Sequence, residues 1–191
     1  MTDRNTLKYY ILQELGREER PDFDNSDESD VKMLNEKYDY YMELALQTYT
    51  WIFTKTQTTA GTATTLTDSK YKYSFTIPED CIYVNGRYTT NKYQDQIFDY
   101  EQHDGFIFID TATLFLDYIK KPCESEMPAY FLDYAKYFIA RNLCHVITGD
   151  TNLLQGLMAF EEKSFSLAKN IDFRQQKQKG FPTTVFIADR S

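Results

Sequence analysis

Apolar positions along the chain follow a helical period, switch to strand-like alternation, and then return to the helical period. In residues 5–15 (NTLKYYILQEL), Leu7, Tyr10, Ile11 and Leu15 fall at helical spacing ahead of Gly16, which predicts a short first helix. Residues 17–30 form an acidic loop in which Pro21 blocks helix continuation and the Ser and Asp residues suit a cap. A second helix is expected over about residues 28–50, with Val31, Leu34, Tyr38, Tyr41, Leu44 and Ala45 as its core stripe and Tyr40, Met42, Leu46 and Tyr49 on other sides. From TWIFTKT onward, β-branched residues and alternation replace helix formers. The Thr-rich residues 58–70 suit the end of a long hairpin. Tyr71, Tyr73, Phe75 and Ile77 then alternate up to Pro78, and Asn85-Gly86 and Asp104-Gly105 both suit two-residue hairpin turns. Residues 114–121 supply a last strand, so about six short antiparallel strands are expected between residues 51 and 121.

Pro122 and Pro128 frame the return to helix. Ser125 or Glu126 is the expected cap, with Pro128 in the first turn and a third helix running to about Ile147, ended by Gly149. A fourth helix is expected over about residues 151–169. The fold class that follows is α+β. A helical bundle is built from residues 1–50 and 122–170, an antiparallel β domain is inserted at 51–121, and residues 171–191 form an extended C-terminal arm. No internal repeat is visible.

Two segments call for cover beyond a simple amphipathic plan. Helix three is apolar nearly all round: Phe131, Tyr134, Ala135, Phe138 and Val146 share one side, while Leu132, Tyr137, Ala140, Cys144 and Ile147 occupy others. Either the rest of the chain or another subunit must cover it, and Tyr137, Ala140, Cys144 and Ile147 are the candidates for a subunit interface. The arm ends in FPTTVFIA, a β-prone peptide behind the polar tether QQKQKG. Phe181, Pro182, Val185, Phe186 and Ile187 are the candidate anchors by which it would add to a sheet edge of a partner.

Composition narrows the possible functions. A chain of 191 residues can bury roughly 70% of its extended surface and needs neither disulfide nor metal to fold. Its three cysteines are odd in number and lack Cys-x-x-Cys spacing, which fits a reducing compartment. The N-terminal sequence lacks the apolar core of a signal peptide, and no apolar run approaches membrane-spanning length. The net charge of −8 argues against tight wrapping of nucleic acid. The charge is uneven, with −5 over residues 1–30, −6 over 31–168 and +3 over 169–191. Sixteen Tyr and fourteen Phe give a surplus of the residue types that interfaces favour.

The sequence offers little chemistry. His103 and His145 lack partners at zinc spacing. Cys144 and His145 are adjacent, so on a helix they point about 100° apart, out of reach as nucleophile and base. Asp117, Glu124 and Glu126 are an acid–base set only in principle, because acids at a helix start also complement its dipole. GTAT lacks the Lys-Ser/Thr ending of a phosphate loop. The expectation is a non-enzymatic protein with no catalytic residues, metal or cofactor. A small hydrolase using the acids near 117–126 is the alternative of a different class, and a monomeric module binding a host factor is a third.

Several stretches together resemble the tail tubular protein A family, the head-to-tail adaptors of short-tailed bacteriophages. They are Trp51-Ile52-Phe53, Tyr73-x-Phe75-x-Ile77-Pro78-Glu79-Asp80-Cys81, Ile82-Tyr83-Val84-Asn85-Gly86, Leu116-Asp117-Tyr118, Glu126-Met127-Pro128-Ala129-Tyr130-Phe131 and Tyr134-Ala135-Lys136-Tyr137-Phe138-Ile139-Ala140-Arg141. The resemblance covers about residues 31–170. The acidic 17–30 loop, the Thr-rich stretch and the terminal arm depart from the family pattern. The resemblance implies a virion structural protein assembled in the host cytoplasm. It would form a homo-oligomeric ring, usually of about twelve subunits, docked between the portal protein and the next tail or nozzle protein. Genomic DNA would cross its lumen without specific binding, and no membrane is involved. The smaller neck adaptor of long-tailed phages is the close structural alternative, although it usually lacks so large a β insertion.

Overall fold

The computed structural model describes residues 3–91 and 95–175. Helix α1 (Arg4–Glu14) starts where Asp3 Oδ1 accepts the Thr6 amide at 2.7 Å, a bond that also holds the Asp3 carboxyl below its ordinary range. It ends where Gly16, at φ 94°, turns the chain so that the Arg17 amide reaches back to Leu12 O. Leu7, Ile11 and Leu12 are its fully buried apolar residues, and Tyr10, expected in the stripe, is exposed. Helix α2 (Ser29–Gln47) buries Val31, Leu34, Tyr38, Met42, Ala45 and Leu46. Met42 and Leu46 thus belong to the core stripe, while Tyr41 and Leu44 pack only at its edge, a phase error of about one position toward the helix C-terminus.

The β insertion comprises β1 (Lys55–Thr59), β2 (Thr64–Thr65), β3 (Tyr73–Thr76), β4 (Cys81–Tyr88), β5 (Glu101–His103), β6 (Phe106–Ile109) and β7 (Phe115–Lys120). They form two antiparallel sheets, ordered β1-β7-β4 and β2-β3-β6-β5. The Thr-rich stretch carries the chain from the first sheet to the second. Ala60, Phe75, Ile107, Ile109, Leu114, Leu116 and Tyr118 make a second core, separate from that of the helices.

The two expected hairpin turns have different outcomes. Asp104 and Gly105 adopt φ of 52° and 79° between β5 and β6, as a turn with two left-handed residues requires. Asn85 and Gly86 instead lie inside β4, where the register against β7 shifts between Val84 and Gly86. Gly86 gives the Tyr88 ring room to fold back over it: a Cβ there would stand 2.5 Å from the Tyr88 hydroxyl oxygen and would require that ring to shift. Gly86→Ala is expected to cost about 1–3 kcal/mol by overpacking. The penalty should shrink in a Tyr88→Ala background, which a double-mutant cycle by urea unfolding measures.

Helix α3 (Ala129–Ile147) begins at Pro128, which is the N-cap residue itself with no side-chain cap, while Ser125 and Glu126 sit in a preceding 3-10 turn (Glu124–Glu126). Pro128 accepts the amides of Phe131 and Leu132 at its carbonyl. Helix α4 (Thr151–Gln175) runs six residues past its expected end at 169. Arg141 Nε lies 2.7 Å from Glu161, and Tyr134 and Phe165 pack at 4.9 Å. These pairs make α3 and α4 an antiparallel hairpin. Helix α3 is the centre of the bundle, with α1, α2 and α4 packed on it.

Candidate assembly surface

The joint between bundle and insertion is where the aromatic residues concentrate. Trp51, assigned from sequence to the start of the β region, is fully buried among the helices and is followed by a 3-10 turn (Ile52–Thr54). Its ring meets Tyr49 at 5.0 Å, Phe131 at 5.2 Å, Tyr134 at 5.9 Å and Phe165 at 6.2 Å, and its Nε1 donates to Ala45 O at 3.3 Å. The Ile52 amide donates to both carboxylate oxygens of Asp172 at 3.1 Å, and Tyr130 Oη donates to Asp172 Oδ1 at 2.9 Å. Asp172 has no solvent exposure. A carboxylate near a helix C-terminus opposes the helix dipole, so these donors are what make its burial tolerable. Burial pushes the Tyr134 phenol up to about 12 and raises that of Tyr130 further, so both remain neutral hydroxyls over the physiological range. Asp172 and Tyr130 did not stand out in the sequence. The available signal was an aspartate at a core position of a helix read as ending three residues earlier.

The acids at the joint are dispersed. Asp117 lies on β7 opposite Gln57 and Gly86, on the strand face away from the buried Leu116 and Tyr118. Burial raises its carboxyl pKa, with Lys55 opposing. Glu126 is exposed and 3.4 Å from Lys120, whereas Glu124 sits in the 3-10 turn, its charge adding to the burial that raises the Tyr38 phenol. Tyr118 Oη donates to Asp80 at 3.1 Å, tying β7 to the loop before β4. Cys144 is buried with its thiol 3.4 Å from Thr148 Oγ1, while the adjacent His145 points to solvent. His103 stacks on Phe108 at 4.4 Å. Among the described residues no three His, Cys, Asp or Glu side chains gather as metal ligands would.

The interface candidates on α3 need correction. Ala140 and Cys144 are fully buried in the bundle core, because α1, α2 and α4 cover the helix on three sides. They are not surface residues. Tyr137 and Ile147 remain half-buried, and Val146, expected in the core, is 62% exposed. The apolar excess has moved one helix along. On α4, Phe160 and Leu167 lie seven residues apart on one face and are 53% and 55% exposed, and Phe160 stacks on Tyr137 of α3 at 5.5 Å. Lys163 and Arg174 flank this stripe and form no ion pair among the described residues. The solvent face of α2 carries Glu36, Asp39, Tyr40 and Glu43, and its three acids pair with Lys37, Arg4 and Lys121. The arm residues Phe181, Pro182, Val185, Phe186 and Ile187 lie outside the described residues.

No protein-family model matches the chain, and no curated protein matches it in sequence. No helix among the described residues is long and apolar enough to cross a membrane.

Proposed function

We propose that the chain is a virion structural subunit, a head-to-tail adaptor that joins copies of itself into a ring beneath a portal and carries the DNA channel into the tail. The observation that carries this reading is that two unlike exposed faces stand on different helices of the bundle. One is the apolar, cation-flanked stripe of Tyr137, Phe160 and Leu167, and the other is the polar, ion-paired face of α2. A contact between two different faces, repeated around a closing axis, generates a ring. The order of elements among the described residues, two helices, a β insertion and two helices, is also what the resemblance of the sequence leads one to expect. An acidic body offers DNA phosphates a like-charged wall, which lets the duplex pass without being gripped.

In this reading the arm, through Phe181, Val185, Phe186 and Ile187, anchors the subunit to its portal or tail neighbour in the finished assembly. Deletion of residues 180–191 is expected to leave the thermal unfolding of the body unchanged and to abolish co-sedimentation with portal particles. Full-strength co-sedimentation of the truncated chain would exclude the arm as the anchor.

A further inference from the structure

The inserted β domain holds a buried cation that has no counter-charge among the described residues. Arg87 lies on β4 directly opposite Leu116 of β7, so its side chain shares the inward face of that sheet and enters the second core. It is 8% exposed. Its guanidinium lies over the Tyr100 ring at 3.8 Å, and its Nη2 donates to Oε1 of Gln102. Its Nε is cut off from solvent and has no hydrogen-bond partner among the described residues. Arg4, Arg17 and Arg141 each meet a carboxylate, whereas no described Asp or Glu forms an ion pair with Arg87. Burial lowers the Arg87 pKa, and the groups that oppose this are the Tyr100 phenol and the Cys81 thiol, not a carboxylate. A guanidinium does not shed its proton in a protein, and a buried charge is costly until it is paired.

Gln102 holds the position of a counter-ion without supplying the charge. It stands opposite the buried Ile107 on β5, the outer strand of the second sheet, as β4 is the outer strand of the first. The bond from Arg87 to Gln102 therefore ties the two sheets together where their outer strands meet. Gln102 is exposed, so its side chain has solvent to turn into, which Arg87 lacks. An oxyanion in place of the amide oxygen would take the same Nη2 donor and reach Nε with a second oxygen. That is the two-point pairing that the guanidinium fork favours with carboxylate and phosphate alike.

We propose that Arg87 forms a binding site for a small oxyanion, a carboxylate or a phosphate, which enters beside β5, displaces the Gln102 side chain and bonds Nη2 and Nε. The bound anion neutralises the charge between the sheets and so stabilises the inserted domain. This goes beyond the adaptor reading and does not depend on it.

The test is titration of the full-length chain with inorganic phosphate, followed through the nitrogen–proton correlation signals of the arginine Nε–H groups. Loss of one signal in Arg87→Met identifies the signal to follow. It is expected to shift saturably with phosphate and to stay in place with chloride at equal ionic strength. At ten times the dissociation constant, phosphate should raise Tm by about 3–6 °C, and Arg87→Met should lose that rise. A parallel titration with acetate separates the two ligand classes, the tighter of the two anions being the class that the site takes. Gln102→Glu, a change at an exposed position, supplies the carboxylate from within the chain. It should raise Tm in phosphate-free buffer by about 2–4 °C and abolish the response to both anions. An Arg87 signal that neither anion moves, a phosphate-induced rise in Tm that is equal in Arg87→Met, or a Gln102→Glu chain that binds phosphate as the native chain does would each overturn the proposal. No portal takes part, so these outcomes are separate from failure of the adaptor reading.

Discussion

Replacing Trp51 with alanine is expected to destabilise the protein by about 3–5 kcal/mol, the cost of emptying a large aromatic site in a packed core. The indole fills the space where α2 ends, α3 begins and α4 crosses, and it touches rings from each of these segments. A cavity there removes contacts that no single neighbour can restore, because Phe131 and Tyr134 are held by α3 and Phe165 by α4. Urea unfolding followed by far-UV circular dichroism gives the loss directly. Trp51→Phe should recover most of it, but leave Ala45 O without its indole donor. A Trp51→Ala loss below about 1 kcal/mol, the range of ordinary surface changes, would show that the helices pack without reference to the joint.

The second large effect is expected at Asp172. Its carboxylate accepts the Ile52 amide and the Tyr130 hydroxyl at a site with no access to water. Asp172→Ala leaves both part-buried donors unpaired, which should cost about 3 kcal/mol, and each kcal/mol lowers Tm by about 2–4 °C in a chain of this size. Asp172→Asn keeps an acceptor oxygen in place and should cost roughly half as much. Tyr130→Phe should be destabilising in the native background and close to neutral beside Asp172→Ala, since its partner is then already gone. Equal effects of Tyr130→Phe in both backgrounds would disprove the coupling. Asp172 and Trp51 together fix the first residues of the insertion to the end of α4. Loss of either is therefore expected to loosen the β domain against the bundle as well as to lower stability.

The sequence made the helical period and strand alternation legible, and with them the order of elements, because each rests on local repetition. The Asp104-Gly105 turn was readable for the same reason: two residues that tolerate positive φ stood between alternating runs. Asn85-Gly86 carried the same local signal and misled, since the glycine serves the approach of Tyr88 across it rather than a turn. The stripe of α2 was misphased because Tyr and Leu are apolar wherever they fall, and only packing decides that Met42 and Leu46 go in while Tyr40 stays out. The exposed apolar stripe was harder still. An apolar excess was visible, but its place on α4 rather than α3 depends on which helix the fold puts in the middle, a tertiary fact with no local signature. Asp172 was illegible for a related reason: its partners are the Ile52 amide, 120 positions away, and the Tyr130 hydroxyl, 42 positions away.

The central claim, that this subunit builds a ring on a portal, is tested most directly by mixing the purified chain with its portal particles and imaging the complex by cryo-electron microscopy. The account predicts a closed ring coaxial with the portal, with the Phe160–Leu167 face of each copy against the α2 face of the next. Portal particles that remain bare at saturating subunit concentration, or subunits bound without mutual contact, would contradict it.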